Sequence, residues 1–378
     1  MDLDKLIEIR KYLHKNPELS GSEYKTKQFL MDHVKELDPD KIYDNITETG
    51  FAALFKGSSP KFTIGFRADI DALPIKESNS FEYKSQNPGV AHLCGHDGHM
   101  TNILSLVHYV SGNRDKISNN ILFVFQPAEE TAQGAKAMTE DEVYQKIKPD
   151  YIFGLHNLPG FPLGSVVLRN GVFASASTGL AVNLEGKTSH AGHPENGINP
   201  VQAMTNIING LISIPSFFTG LTDAANITII HAKLGEVAFG TSPGEATVMA
   251  TMRSHSDEIM QKMQQKALKI IKANAEAYDL KYSYEWVEHF VTTGNSDKTY
   301  NIIKNAAEKS NIEIIEKNDP FPWSEDFGFF DILSEAGFFG IGSGPDHPQL
   351  HNPDYDYPDE LITVARKMFV KIINYFEQ

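Results

Sequence analysis

The sequence contains a single cysteine, Cys94, among its 378 residues. One thiol cannot form a disulfide within the chain, which favours a reducing, cytoplasmic location. Long apolar runs are missing as well, so the sequence predicts neither a signal peptide nor a segment that spans a membrane. Basic clusters are also absent, and the formal net charge is −15. A field of this sign repels phosphate backbones and anionic lipids, so neither nucleic acid nor a membrane is expected as a partner.

The composition is that of a soluble globular protein, with 41% apolar and 22% charged residues. Predicted strands at 62–66, 121–125 and 151–155 alternate with helical patterns such as 101–110. This order predicts an α/β domain with a mostly parallel central sheet flanked by helices. Ser20 and Glu23 form a capping-box pattern, which predicts a helix that follows them and ends near Val34.

The middle of the chain has a different pattern, in the order β-α-β-β-α-β, over about 176–288. This order is typical of a ferredoxin-like α+β domain. We therefore predict a catalytic domain formed by residues 1–175 and 289–378, interrupted by an inserted lid and dimerisation domain at 176–288. An exposed strand of the inserted domain could pair across a two-fold axis, so a homodimer through this domain is expected.

Chemically reactive side chains follow the predicted strands, at the sheet edge where open α/β folds bind their ligands. Cys94 and His96 flank Gly95, which permits a tight turn, so that a thiolate and an imidazole can reach one metal ion. Glu129 and Glu130 follow the strand at 121–125. One carboxylate of such a pair can bind a metal while the other takes a proton from a bound water.

Asp71 and His156 are further candidates that follow predicted strands, and His351 is a candidate on a polar loop before the last helix. Taken alone, each cluster is as typical of a polar loop or a packed histidine as of a functional site. Together they offer a thiolate, at least three imidazoles and several carboxylates at one edge of a sheet. This donor set predicts two divalent metal ions, Zn²⁺ or Mn²⁺, about 3.5–4 Å apart.

With these motifs in view, the chain resembles the M20 family of metal-dependent aminoacylases and peptidases, and within it the D subfamily of N-acyl-amino-acid amidohydrolases. The resemblance extends over most of the chain, and its motifs occur in the order typical of the family. They are residues 10–14, 16–20, 67–74, 94–97, 126–130, 155–159, 190–194, 324–327 and 351–353.

The resemblance implies a role for each matching residue. Cys94 would bridge two metal ions, and the remaining metal ligands would be His96, Glu130, His156 and His351. Glu129 would be the general base and later the general acid, while Asp71 would orient a ligand or the base. His190 would help to hold the oxyanion, often from a neighbouring subunit, and Arg253 would meet a substrate carboxylate.

These observations predict a metal-dependent amidohydrolase that cleaves the amide bond of N-acylated amino acids or short peptides by metal-activated water. Three alternatives stay open at this point. The chain could be a dipeptidase or carboxypeptidase for unmodified peptides, a metal-binding scaffold without turnover, or a thiol enzyme that uses Cys94 with a histidine. His92, His99 and His108 are assigned no functional role, and His99 and His108 are interpreted as helix-packing or supporting residues.

Overall fold

The structure is a computed structural model that describes residues 1–377. The helices are α1 Leu3–Lys15, α2 Tyr24–Lys35, α3 His96–Ser111, α4 Gly134–Glu140, α5 Glu142–Ile147, α6 Val201–Phe218, α7 Asp257–Ala277, α8 Asp297–Glu308 and α9 Glu360–Phe376. The strands are β1 Lys41–Tyr43, β2 Phe51–Phe55, β3 Thr63–Asp69, β4 Asn120–Gln126, β5 Tyr151–Pro159, β6 Val166–Leu168, β7 Gly171–Ala174, β8 Ala176–Glu185, β9 Ser189–His190, β10 Ala225–Leu234, β11 Thr241–Ser242, β12 Glu245–Ser254, β13 Lys281–Phe290, β14 Thr293–Asn295, β15 Ile314–Glu316 and β16 Glu335–Gly344. Within residues 1–377, none of the helices combines the length and the apolar character needed to cross a membrane.

The chain folds into two compact units with separate hydrophobic cores. The first unit comprises Met1–Phe173, Thr293–Pro320 and the residues from Asp326 onward. The second comprises Ala174–Thr292 together with the short segment Phe321–Glu325. That segment joins the second unit because the backbone N–H of Ser175 donates to the Phe321 carbonyl and the Arg253 guanidinium donates to the Pro322 carbonyl.

The first unit is built on an eight-stranded sheet in the order β1-β2-β4-β3-β5-β16-β6-β15. The four central strands, β4, β3, β5 and β16, all run parallel. Their residues are almost entirely buried, as expected for strands that are covered on both faces. Helices such as α3, α4, α8 and α9 pack against these strands. The predicted α/β fold with a mostly parallel central sheet is confirmed, and the carboxyl ends of four central strands share one edge.

The second unit has a four-stranded antiparallel sheet in the order β10-β12-β8-β13. Counted along the chain, this is the strand order of the ferredoxin-like fold. Helices α6 and α7 pack on each other and on the strands. The apolar side chains of α7 recur at helical spacing and are buried, which is why this long helix covers the sheet. Strands β10 and β13 form the two edges.

Two element boundaries differ from the prediction. Strand β5 continues past Leu155 to Pro159, because β16 keeps pairing with it, with Gly340 opposite His156. Helix α3 begins at His96 rather than at Thr101, and Gly95 precedes it in the left-handed conformation. His156 therefore lies inside a strand, and His96 is the first residue of a helix.

The predicted capping box at the start of α2 is wrong. Glu23 occupies the N-cap position, but its side chain makes no capping hydrogen bond to the helix. The Ser20 hydroxyl instead donates to Asp71, and the Glu23 carboxylate accepts the backbone N–H of Ala128. Both side chains are therefore directed toward residues that are distant in the sequence.

Candidate metal centre

Each candidate side chain of the first unit is placed by a different element. Cys94 ends a buried loop and His96 opens α3. Glu129 and Glu130 follow β4, and His156 projects from the carboxyl half of β5. The loop after β16 carries His351, whose backbone N–H donates to the Leu93 carbonyl at 2.8 Å. That bond ties the His351 loop to the segment that carries Cys94.

The donor atoms of these residues form two triads that share Cys94. Cys94, His96 and His156 form one triad, and Cys94, Glu130 and His351 form the other. Within each triad the ligand atoms all lie within 4.8 Å of one another. The Cys94 Sγ lies 3.4 Å from Nε2 of His156. A thiolate common to two donor sets is the arrangement expected of a residue that bridges two ions.

Glu129 belongs to the same centre. Its Oε2 lies 3.8 Å from Nε2 of His96, and Oε1 of Glu130 lies at the same distance from that nitrogen. Oε2 of Glu130 is 3.6 Å from Nε2 of His351. The structure thus brings together all five predicted ligands and the predicted base.

Two donor atoms of the centre are buried without a hydrogen-bond partner among the described residues, namely Nε2 of His96 and Oε1 of Glu130. Leaving a polar atom unpaired in the interior costs about 1–3 kcal/mol. Thiolate, imidazole and carboxylate are together the donors that borderline cations such as Zn²⁺ accept. The residues therefore fit divalent metal ions.

The histidine tautomers suit the same purpose. Nδ1 of His156 donates to the Asn157 carbonyl at 2.8 Å, and Nδ1 of His96 donates to the Asp71 carbonyl at 3.0 Å. A neutral ring whose Nδ1 carries the hydrogen offers the lone pair of Nε2. Both imidazoles consequently direct Nε2 into the cluster, as metal-binding histidines do when a carbonyl fixes the other nitrogen.

The pKa values of the clustered side chains are shifted in the directions that a bound cation would reverse. Burial, together with the carboxylates of Glu130 and Glu129, raises the pKa of the Cys94 thiol well above its usual value. Burial likewise raises the pKa of Glu130 to about 7. Burial opposes the charged form of His96, but Asp69, Asp71 and Glu130 outweigh it and raise the pKa of His96 to about 10. The negative forms of Cys94 and Glu130 are therefore disfavoured in this space when no cation is nearby. Bound cations would stabilise these negative forms.

Asp71 supports the centre without belonging to either triad. Its Oδ2 accepts the Ser20 hydroxyl at 2.6 Å and the backbone N–H of Glu130 at 3.0 Å. Its backbone carbonyl accepts Nδ1 of His96, as described above. Asp71 therefore contacts the backbone of one candidate ligand and the ring of another.

His99, which the sequence analysis left as a packing or supporting residue, provides further support for the centre. The His99 ring lies between Oδ1 of Asp69 and Oδ1 of Asn157, at 2.6 Å from each. The Asn157 amide also donates to the Cys94 carbonyl at 3.1 Å. Oδ2 of Asp69 lies 3.6 Å from Nε2 of His96, but this oxygen already accepts a hydrogen bond from the Arg67 guanidinium at 2.7 Å. The available signal was the three-residue spacing of His96 and His99, which places both on one helix face once α3 begins at His96.

The two remaining candidates belong to the second unit. His190 lies in the short strand β9 and is exposed, and its Nδ1 accepts the backbone N–H of Gly192 at 3.0 Å. Arg253 lies near the end of β12, and its guanidinium donates to the Pro322 carbonyl at 2.8 Å and to the Ser324 hydroxyl at 3.3 Å. Their predicted roles toward substrate stay predictions.

We expect Gly95→Ala to lower both the melting temperature and the metal content of the protein. Gly95 has φ +96°, and an added Cβ would lie 2.4 Å from Oδ1 of Asn157, whose amide nitrogen binds the Cys94 carbonyl. The control is Gly89→Ala, which has φ +80° but no atom within 4 Å of its added Cβ. Left-handed strain alone costs about 1–2 kcal/mol. Equal losses in both variants, measured by thermal unfolding and elemental analysis, would show that the contact with Asn157 is unimportant.

A parallel sheet carries thiol, imidazole and carboxylate groups at its carboxyl edge, most of them buried and His351 exposed. This arrangement defines an α/β metallohydrolase architecture. Residues 65–375 match the model of peptidase family M20/M25/M40. The chain belongs to this family, whose related members are hydrolases of amide bonds.

Individual relatives match over nearly their full length. The chain is 32% identical to an N-acetyldiaminopimelate deacetylase of Lactobacillus helveticus, over 94% of this chain and 93% of that protein. It is also 32% identical to a hippurate hydrolase of Campylobacter jejuni, over 96% of this chain and 94% of that protein. Among solved structures, the YXEP protein of Bacillus subtilis, described as a dinuclear metal-binding peptidase from the M20 family, is 26% identical. It superposes with a TM-score of 0.83 over 99% of this chain and 98% of that one.

Proposed function

We propose that this protein hydrolyses the amide bond of N-acylated amino acids, with short N-acylated peptides as further substrates. The observation that carries the proposal is the pair of donor triads that share Cys94, with the Glu129 carboxylate beside them. The relatives named as a deacetylase and a hippurate hydrolase support this substrate class, since both names denote cleavage of an N-acyl group.

Two divalent ions per subunit would be held by Cys94, His96, Glu130, His156 and His351. When bound, such ions lower the pKa of water toward about 7 and polarise a carbonyl group. The mixture of thiolate and imidazole favours Zn²⁺, whereas the carboxylates also suit Mn²⁺. Elemental analysis of the purified protein identifies the metal, and a preparation that is fully active without either ion would contradict this assignment.

Glu129 is the proposed general base. It is buried at 5% exposure and lies beside the donor set, so its carboxylate can take a proton from the attacking water. The same carboxylic acid then delivers the proton to the leaving amine, which makes the departing group neutral. General acid–base catalysis of this kind contributes about 10²–10⁴ in rate.

Asp71 and two residues of the second unit complete the proposal. Asp71 orients the Glu130 backbone and the His96 ring, on the hydrogen bonds described above. His190 would help to stabilise the oxyanion, from its own or a neighbouring subunit, and removing one such donor costs about 3–4 kcal/mol in other hydrolases. Arg253 would bind the substrate carboxylate.

A substrate panel tests the activity. With metal-reconstituted protein, we expect kcat/KM for hippurate and N-acetyl amino acids to exceed that for unmodified dipeptides by at least about tenfold, or 1.4 kcal/mol. The reason is that two relatives that match this chain over nearly their full length are named for N-acyl substrates. Faster cleavage of the dipeptides would instead favour the dipeptidase or carboxypeptidase alternative.

The structure gives no support to the thiol-enzyme alternative. A nucleophilic cysteine needs a lowered pKa. Burial and two neighbouring carboxylates raise the pKa of Cys94 instead. A metal-free thiol at this position would therefore be protonated at neutral pH.

We further propose a homodimer that forms through the second unit, and a cytoplasmic location as predicted from the single cysteine. Strand β10 is an edge strand, and it exposes residues such as Ile230, which is 61% exposed. Unpaired edges of this kind readily pair with another chain. Sedimentation analysis should show a dimer that Ile230→Lys weakens, and a monomer at all concentrations would contradict the proposal.

A further inference from the structure

Glu129 lies between two residues whose backbone N–H groups are each bound by a buried carboxylate. On one side, Ala128 donates to Oε1 of Glu23 at 2.8 Å. On the other side, Glu130 donates to Oδ2 of Asp71 at 3.0 Å. Glu23 and Asp71 are both 0% exposed. The backbone that presents the proposed base is thus fixed from both directions.

Of the two residues that flank Glu129, Ala128 has the strained backbone conformation. Its φ is +50°, in the left-handed region that residues with a Cβ rarely adopt. A conformation of this kind costs about 1–3 kcal/mol and persists only where the surroundings enforce it. The Ala128 carbonyl accepts the backbone N–H groups of Gln133 and Gly134, and its own N–H depends on Glu23. Loss of the Glu23 acceptor would therefore free one end of a strained residue that directly precedes Glu129.

The Glu23 carboxylate has little purpose inside its own helix. It sits at the N-cap of α2 without bonding to the helix backbone. Oε1 accepts the N–H groups of Gly21 and Ala128, and Oε2 accepts the Thr49 hydroxyl at 2.7 Å. Burial, to which the charge of Asp71 adds, raises the pKa of Glu23. Burying a carboxylate lowers the stability of the fold unless its oxygens are hydrogen-bonded. Of the three partners, only Ala128 is adjacent in sequence to the proposed base, Glu129.

We propose that Glu23 is a positioning residue for Glu129, and that it acts by holding the backbone of Ala128 in its left-handed conformation. The inference rests on the proposed function, because it assigns Glu23 a role toward the base of that reaction. Ser20, three residues earlier, acts in parallel by donating to the Asp71 oxygen that also binds the Glu130 N–H. One short stretch of the N-terminal region thereby secures the Glu129 loop at both ends.

Three variants of the whole 378-residue chain test this role by kinetics. Glu23→Ala removes the acceptor and should lower kcat by about 10- to 100-fold, the scale expected for a misplaced catalytic group, while KM and metal content stay near the parent values. Glu23→Gln should restore kcat, because the amide oxygen can accept from Ala128 while the rest of the side chain keeps its shape. Thr49→Val is the matched control, since it leaves Glu23 equally buried and removes a bond that does not reach the Glu129 loop.

Hydrogen exchange of residues 126–134 gives a readout that does not depend on turnover. We expect Glu23→Ala to accelerate deuterium uptake in this segment, whereas Thr49→Val and Glu23→Gln leave it unchanged.

If Glu23→Ala does not fold, Glu23→Asp replaces it, because the shorter side chain keeps the charge but withdraws from Ala128. Unchanged exchange in a folded Glu23→Ala or Glu23→Asp protein would overturn the inference. So would an equal loss of kcat in Thr49→Val. A parent protein that is inactive on the substrate panel would refute the proposed function alone, because the exchange result would still decide the role of Glu23.

Discussion

Replacing Glu129 by glutamine should lower kcat by about 10²- to 10⁴-fold while both metal ions remain bound. The amide has nearly the same shape as the carboxylate, but it cannot accept a proton from water or return one to the leaving amine. Glu129 is not a member of either triad that shares Cys94, so its replacement leaves those donor sets complete. The measurement combines steady-state kinetics on an N-acyl amino acid with elemental analysis of the same preparation.

Glu140→Gln provides the control for Glu129→Gln. Glu140 ends α4, the helix that follows the Glu129 loop, and its side chain is exposed. This variant makes the same change of charge a short distance along the chain, so it should retain parental kcat. A Glu129→Gln protein that turns over substrate at the parent rate would remove Glu129 from the mechanism. Loss of both metals would instead make Glu129 a ligand.

Cys94→Ala should abolish binding of both ions, because the thiol is the one donor that the two triads have in common. His351→Ala removes a donor from a single triad and should leave more metal bound than Cys94→Ala does. Changes to residues that merely support a metal ligand already cost about 10–100-fold in affinity, so the loss of a shared ligand should exceed that range. The metal-to-protein ratio after dialysis against a metal-buffered solution measures the effect.

Ser105→Ala is a suitable control for Cys94→Ala, since Ser105 is a small, buried polar residue on the neighbouring helix α3. Its replacement also removes one heavy atom from the interior, but it should leave the metal content at the parent value. Full retention of two ions by Cys94→Ala would exclude the cysteine from the ligand set. An equal loss of metal in Ser105→Ala would assign the effect to general destabilisation.

The convergence of the candidate donors could be predicted from the sequence because their chemistry is carried by residue types that are rare in such positions. The division of these residues into metal ligands and a base came from the resemblance to the M20 family and stays a prediction. Cys94 is the only thiol, and His96 follows it across a glycine. The carboxyl ends of parallel strands bring such segments to one edge, and the apolar runs that become β4 and β5 predicted those strands. Residue chemistry and strand order therefore sufficed to predict which side chains converge.

The supporting residues could not be predicted in the same way, because local patterns have more than one use. Ser20 and Glu23 satisfy the capping-box pattern, yet in the structure they bond to Asp71 and Ala128, which are distant in the sequence. His99 was interpreted as a packing or supporting residue, and its contact with Asn157 depends on where α3 begins. Tertiary partners decided both cases. The three-residue spacing of His96 and His99 indicates a shared helix face once the start of α3 is known, but it does not identify Asn157 as the partner of His99.

Crystals of the metal-loaded protein, with anomalous diffraction collected at the absorption edge of the bound metal, test the central claim most directly. We expect two anomalous peaks, both in contact with the sulfur of Cys94, because a shared pair of cations should be bound by five side chains. These are Cys94, His96, Glu130, His156 and His351. A single peak, or peaks that lie away from these five side chains, would contradict a two-metal centre bridged by Cys94.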